Sequence, residues 1–353
     1  MAVALVLGIH PKNLGAVQML LSIQKALPEH IVAVPWDWPA SHHGLARVGR
    51  ETWTGRADAP VKMRLRAWFR ERLGLARRPD VVLDASGFGL SDQWGALKAG
   101  RHATNVTYWA RRGVPTVYLP QAFGPFTEPD VAAAAKTALD GAALVFARDP
   151  TSARHVDALG VPHHQAPDFT CLLRVDPDDR FAGRDVVVPN VRMTDRADGA
   201  GYRARMTELL ADLPDPVVLV HEDGADLALA KELVAASGRE VEIVVESDPL
   251  RAKALVQGAG GVIASRYHAL VAALDAGIPA VGTGWSHKYE ALFSDFEATD
   301  LLVRDMDPIS WAAALSARQA PRDLSRGYER RVAATKAMWQ QVRALDAFSS
   351  DHP

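Results

Sequence analysis

Cysteine is nearly absent. The 353-residue chain holds one, Cys171, which excludes an intramolecular disulfide and a cysteine-based zinc site. A reducing, cytoplasmic setting is expected. A surplus of one charge is missing too. Lys and Arg number 40 and Asp and Glu 42, a formal net charge of −2, so no global basic field marks the chain for nucleic acid. No apolar run approaches the roughly 18 residues of a membrane span. Met1-Ala-Val-Ala-Leu-Val-Leu-Gly8 is apolar. It has no basic region before it and no cleavage-like site after it, so it reads as a first buried strand rather than a signal peptide. The pairs His42-His43 and His163-His164 lack ligand spacing, and no metal site is expected.

What the chain does have is a repeating alternation. Hydrophobic residues make up 48%, enough for two cores at roughly 150 residues per domain. Short Val-, Leu- and Ile-rich runs at 3–9, 31–34, 81–84, 116–119 and 144–147 read as buried strands. Helical patterns fall between them at 17–26, 94–112, 129–139 and 152–159. The turn-rich stretch 176–183 reads as a linker. The alternation then restarts. Strands are expected at 185–189, 217–221, 240–245, 261–264 and 280–282, and helices at 203–213, 226–236, 249–257, 267–276 and 289–296. The expected fold is α/β, with two Rossmann-like domains whose parallel sheets face a cleft. The first domain is expected over 1–175 and the second over 184–322. Residues 323–353 are expected to form an amphipathic helix that packs back on the first domain.

One stretch is compositionally odd. Residues 47–78 carry ten Lys and Arg against three acids, with Trp53, Trp68 and Phe69 interleaved. One reading is peripheral contact with an anionic lipid-linked substrate or with the inner membrane face. The other is a solvated amphipathic helix whose aromatics turn inward.

Chemistry is expected where strands run into helices. The loop Gly8-Ile-His-Pro-Lys-Asn-Leu-Gly15 opens a helix and places Asn13 and Gly15 where backbone N–H groups can meet an anion. It serves equally as a structural turn. Asp84-Ala-Ser-Gly-Phe-Gly89 and Gln121-Ala-Phe-Gly-Pro-Phe126 end two neighbouring strands, bringing Ser86, Gly87 and Gln121 to one sheet edge. Asp149, before Pro150, reads as a helix cap, and Asp168 as a structural carboxylate. The sharpest segment is Ala264-Ser-Arg-Tyr-His268, a buried strand running straight into an apolar helix. Arg266 suits bidentate binding of phosphate or carboxylate. His268 can move protons near neutral pH. Lys288 and Arg192 end the neighbouring strands, and His221-Glu-Asp223 ends another. Several cations around one place describe a site for an anionic substrate.

With these segments in order, the chain resembles the polysaccharide pyruvyl transferase family from about residue 3 to 303. The resemblance rests on Asn13-Leu-Gly15, Asp84-Ala-Ser-Gly87, Gln121-Ala-Phe-Gly-Pro-Phe126, Ala147-Arg-Asp-Pro-Thr-Ser152, Leu159-Gly-Val161, Ala166-Pro-Asp168, Ser265-Arg-Tyr-His268 and Ala276-Gly-Ile-Pro279 with Lys288. It implies a GT-B-like fold. It also implies transfer of the pyruvyl group of phosphoenolpyruvate to a sugar of a cell-surface glycan or its precursor, giving a ketal and phosphate. Arg266 and His268 match the family's Arg-x-His pair as catalytic and donor-binding residues, and Arg192 a second phosphate-binding arginine. Lys288 joins the donor side. Asn13, Gly15, Ser86, Gly87 and Gln121 fall to the acceptor or the cleft. Phosphoenolpyruvate is then a donor substrate and no cofactor is implied. Two alternatives remain: a GT-B glycosyltransferase using a nucleotide sugar, with Glu222 and Asp223 as a ribose clamp, and a non-catalytic glycan-binding relative.

Overall fold

The computed structural model describes residues 1–34, 46–47, 78–196, 198–221 and 224–348. By their contacts they divide into two compact units. One gathers Met1–Pro11, Met19–Phe169 and Ala333–Pro353, the other Lys12–Gln18 and Thr170–Val332.

The first unit is built on β1 (Val3–Leu7), β2 (Ile31–Val34), β3 (Ala46–Arg47), β4 (Val81–Asp84), β5 (Thr116–Gln121), β6 (Leu144–Ala147) and β7 (His164–Gln165). They form one sheet in the order β3-β2-β1-β4-β5-β6-β7, every pair parallel. Its helices are α1 (Leu14–Ala26), α2 (Gly95–Ala110), α3 (Pro129–Asp140) and α4 (Pro150–Ala158), although the first turn of α1 groups with the second unit.

The second unit carries β8 (Asp185–Val188), β9 (Pro216–Val220), β10 (Glu242–Val245), β11 (Gly261–Ala264), β12 (Ala280–Thr283) and β13 (Leu302–Val303). Its sheet runs β10-β9-β8-β11-β12-β13, again all parallel. Counted from β8 this is the 3-2-1-4-5-6 order of a doubly wound dinucleotide-binding domain. The helices are α5 (Gly199–Asp212), α6 (Ala225–Ser237), α7 (Pro249–Gln257), α8 (Tyr267–Asp275), α9 (His287–Asp295), α10 (Pro308–Arg318) and α11 (Ser325–Arg343). From Ala333 onward α11 counts with the first unit. There Trp339 meets Phe169 edge-on at 5.9 Å, and Arg343 donates to the Ala26 carbonyl at 2.6 Å.

The strands form because a sheet covered on both faces buries every side chain of a run. Along β8, Val186 and Val188 enter one core while Val187 enters the core on the opposite face. In β9, Val217 and Leu219 divide from Val218 and Val220 in the same way. Each such buried side chain contributes about 1.5–3 kcal/mol. Aspartates time several of the helices. Asp149, Asp248 and Asp307 each precede a proline and accept backbone N–H bonds that cap α4, α7 and α10. Proline suits the first helical position, where its missing N–H would have no partner. The two-residue strands β3, β7 and β13, and helix α10, were not expected from the sequence pattern. The basic stretch 47–78, apart from its ends, lies outside the described residues, as do His42 and His43. No helix among the described residues is long and apolar enough to cross a membrane.

Candidate functional site

In open parallel sheets, ligands sit beyond the carboxyl ends of the strands where the strand order reverses. In the second unit that point lies between β8 and β11, and the chain leaves those strands at Asn190 and Ser265. The two loops are tied together. Asn190 Nδ2 donates to the Ser265 carbonyl at 3.2 Å, and its Oδ1 accepts from the Arg192 N–H at 3.1 Å. Tyr202, buried on α5, bonds the Asn190 N–H at 3.1 Å and the Ser265 hydroxyl at 2.7 Å. Tyr289 Oη donates to the Ser265 carbonyl at 3.0 Å.

Asp226 is the hub of the charge. It sits in the first turn of α6 with 2% exposure. One carboxylate oxygen accepts from the Val191 N–H at 2.9 Å, and the other pairs with the Arg266 guanidinium. The Arg266 side chain keeps 27% exposure, so an anion can reach the guanidinium. Arg266 is also the residue before α8. It supplies no side-chain cap, which leaves the positive end of the helix for other acceptors. Arg192 is exposed on the short 3₁₀ turn after β8.

His268 lies in the first turn of α8 and stacks edge-on to Tyr267, with centroids 5.5 Å apart. Gly15 packs directly on its ring. A Cβ at position 15 would stand 2.6 Å from His268 Cγ and 2.7 Å from Cε1, and nearer still to Nδ1. Asn13 caps this turn, its Oδ1 accepting from the Ala16 N–H at 3.3 Å. The loop expected on the acceptor side thus lies against the histidine of the second unit. Lys288, after β12, sits over three aromatic faces: Tyr267 at 5.1 Å, Tyr289 at 5.3 Å and Trp285 at 5.4 Å. Arg192, Arg266, His268 and Lys288 therefore all fall at the carboxyl edge of one sheet.

His221, at the end of β9, joins them electrostatically. Burial, and then the charges of Arg266 and His268, push its pKa down to about 3, so it is neutral at physiological pH. Its buried Nδ1 has no hydrogen-bond partner among the described residues. The neighbouring Glu222 and Asp223, read as a ribose clamp, lie outside those residues.

The first unit presents its own edge. Ser86 donates its N–H to Asp84 at 3.0 Å, and Gln121 Nε2 donates to the same oxygen at 3.3 Å. Gly87 holds φ +68° and accepts the Ala122 N–H at 2.9 Å. Ser86, Gly87 and Gln121 are thus brought together. Asp149 caps α4 through the Ser152 N–H at 2.7 Å. Asp168 is fully buried against Arg148, 3.3 Å away. Sequence reasoning missed Asp226 as the partner of Arg266 and His102 as the partner of Asp84. Only the Gly-Ala-Asp opening of α6 hinted at the former.

These two doubly wound parallel units define a GT-B protein. Among solved structures, the UDP-GlcNAc 2-epimerase from Neisseria meningitidis bound to UDP-GlcNAc matches with a TM-score of 0.59 at 11% identity, covering 97% of this chain and 99% of that one. The UDP-GlcNAc 2-epimerase from Methanocaldococcus jannaschii gives 0.60 at 10% identity, covering 98% and 100%. The spinosyn rhamnosyltransferase SpnG gives 0.54 at 15% identity, covering 97% and 99%. At such identities the likeness is one of fold. No curated protein matches the sequence significantly. The family is given by the sequence itself: the polysaccharide pyruvyl transferase model matches residues 13–287, and the chain belongs to that family.

Proposed function

We propose that the chain transfers the pyruvyl group of phosphoenolpyruvate to a sugar of a cell-surface glycan or its precursor, forming a ketal and releasing phosphate. The observation that carries this reading is the grouping of Arg192, Arg266 and His268, all within the family's matched span, with Lys288 one residue beyond its end, at one sheet edge.

The donor carries a phosphate and a carboxylate, and the three cations are suited to hold them. Protonation of the donor's methylene carbon leaves cationic character at C2. A sugar hydroxyl adds to C2, phosphate departs with the electron pair of its C–O bond, and a second hydroxyl closes the ketal. His268 is the acid/base for the methylene proton. Arg266 stabilises the charge that grows on the leaving phosphate. Asp226 fixes the guanidinium so that it need not reorganise during the reaction. The scheme calls for no metal or cofactor. The second unit is assigned to the donor and the first to the acceptor.

A thermal-shift titration with phosphoenolpyruvate tests the donor. At about 100-fold over its dissociation constant a ligand stabilises the fold by about 2.7 kcal/mol. The wild type is expected to shift and Arg266→Lys to lose most of the shift, since lysine keeps a charge beside Asp226 but not the planar fork. No shift with phosphoenolpyruvate, and a shift with UDP or thymidine diphosphate, would replace this reading with a nucleotide-sugar transferase. UDP-GlcNAc is bound in the epimerase above, and thymidine diphosphate in a second SpnG structure.

A further inference from the structure

The first unit holds a carboxylate–histidine pair at its own strand-order reversal, between β1 and β4. Asp84 is the last residue of β4 and is 6% exposed. Its Oδ2 lies 3.3 Å from His102 Nδ1. Burial works to raise the Asp84 pKa, but its interaction with the His102 ring and the bonds from Ser86 outweigh it and hold the carboxyl below its ordinary range. Asp84 is therefore ionised at neutral pH. Tyr118 Oη also stands 3.4 Å from Nδ1. Burial, together with the Asp84 charge, keeps that phenol protonated far above neutrality.

These neighbours choose the tautomer. A lone pair on Nδ1 would face an ionised carboxylate, so Nδ1 carries the proton and Nε2 the basic lone pair. Nε2 points toward Gly89, where a Cβ would stand 3.0 Å from Nε2 and 2.8 Å from Ser86 Cβ. The missing side chain leaves this nitrogen approachable, and the His102 side chain keeps 10% exposure. An independent feature points to a ligand. Gln121 is fully buried with its Nε2 on Asp84, and its Oε1 has no partner among the described residues. A buried acceptor without a donor costs about 1–3 kcal/mol, and a bound hydroxyl would satisfy it.

We propose that Asp84, His102 and Gln121 form a hydroxyl-binding base site in the first unit, where His102 Nε2 removes the proton of a sugar alcohol. The naming of the alcohol as a sugar's rests on the pyruvyl-transfer reading. The O–H bond breaks, its proton moves to Nε2, and its electron pair stays on oxygen for the new C–O bond to the donor's C2. The imidazolium that forms is stabilised by Asp84 and returns the proton to solvent. His102 is a catalytic residue here and Asp84 its positioning residue.

The test is nitrogen NMR of the full chain labelled with ¹⁵N-histidine, the His102 signals assigned with His102→Gln. In the neutral form of the ring the His102 proton is expected on Nδ1 and the lone pair on Nε2. The Nε2 signal is further expected to shift on titration with at least one of the methyl glycosides of glucose, galactose and mannose. Gly89→Ala, whose methyl group covers Nε2 and presses on Ser86 Cβ, is expected to abolish that response, and a retained His102 Nδ1 proton signal in the variant shows that the pair with Asp84 survives. With the responsive glycoside as acceptor, His102→Gln should lower phosphate release from phosphoenolpyruvate by about 10²–10⁴-fold while keeping the donor's thermal shift. A proton on Nε2 rather than Nδ1 in the neutral ring, a signal unmoved by all three glycosides, or undiminished turnover in His102→Gln would overturn the proposal. If phosphoenolpyruvate stabilises neither protein, pyruvyl transfer fails, and the imidazole titration still decides this site.

Discussion

Replacing Gly15 by alanine sets two effects of opposite sign against each other. Gly15 lies in the first turn of α1, where alanine should gain up to about 1 kcal/mol of helix propensity. The same methyl group would stand 2.6 Å from His268 Cγ, against a comfortable separation of about 3.5–4.0 Å. The ring must therefore retreat by about 1 Å. Overpacking of this kind costs about 1–3 kcal/mol, so the net loss of stability should be about 0–2 kcal/mol. Donor binding should suffer more in proportion, because His268 sits in the proposed phosphoenolpyruvate site. A tenfold weaker affinity cuts the ligand-linked stabilisation from about 2.7 to about 1.4 kcal/mol at the same phosphoenolpyruvate concentration. Thermal unfolding with and without phosphoenolpyruvate reads both quantities. Gly100→Ala in α2 is the control, since no atom lies within 4 Å of its added Cβ, and it should stabilise by about 0.5–1 kcal/mol. A Gly15→Ala protein with unchanged stability and an undiminished phosphoenolpyruvate shift would refute the placement of Gly15 on a donor-binding histidine.

Three further outcomes follow from the charged groups. Asp226→Ala should cost about 1–3 kcal/mol, because it strips the Val191 N–H of its acceptor and the partly exposed Arg266 of its partner, and denaturant unfolding monitors the loss. Asp84 has a lowered pKa, so its contribution to stability is full above about pH 4 and lost as pH falls through its folded value. Asp84→Asn should flatten that acid limb in unfolding midpoints measured against pH. His221, held down to about 3, opposes the folded state as pH falls from about 6.5 toward 3, because the unfolded chain takes up the proton first. In His221→Gln the stability slope across that window should shrink, which the same midpoint series reads.

Much of the fold was legible because buried parallel strands leave uninterrupted runs. The strands at 31–34, 81–84, 144–147 and 261–264 were read to the residue. The two-residue strands β3, β7 and β13 are too short to carry any pattern. Helix α10 was passed over although Asp307-Pro308 announces it as plainly as Asp149-Pro150 announces α4. At the site, Arg266 and His268 could be placed at a strand-to-helix turn because that junction is local in sequence. Their company could not. Asp226 lies 40 positions from Arg266 and Asp84 18 from His102, and no periodicity links such pairs. Only the strand order brings them to one edge.

The grouping of Lys12–Gln18 with the second unit bears on how the chain matures. During synthesis Gly15 leaves the ribosome well before the histidine it covers, which is made only after the whole of the first sheet. The turn must wait, capped by Asn13 but uncovered, until β11 and α8 are complete. Such a long sequence separation slows the closing of a contact, so the surroundings of His268 are among the last parts of the molecule to be finished. A fragment beginning at Thr170 would contain every strand of the second sheet and still leave the ring of His268 bare on the face where Gly15 belongs.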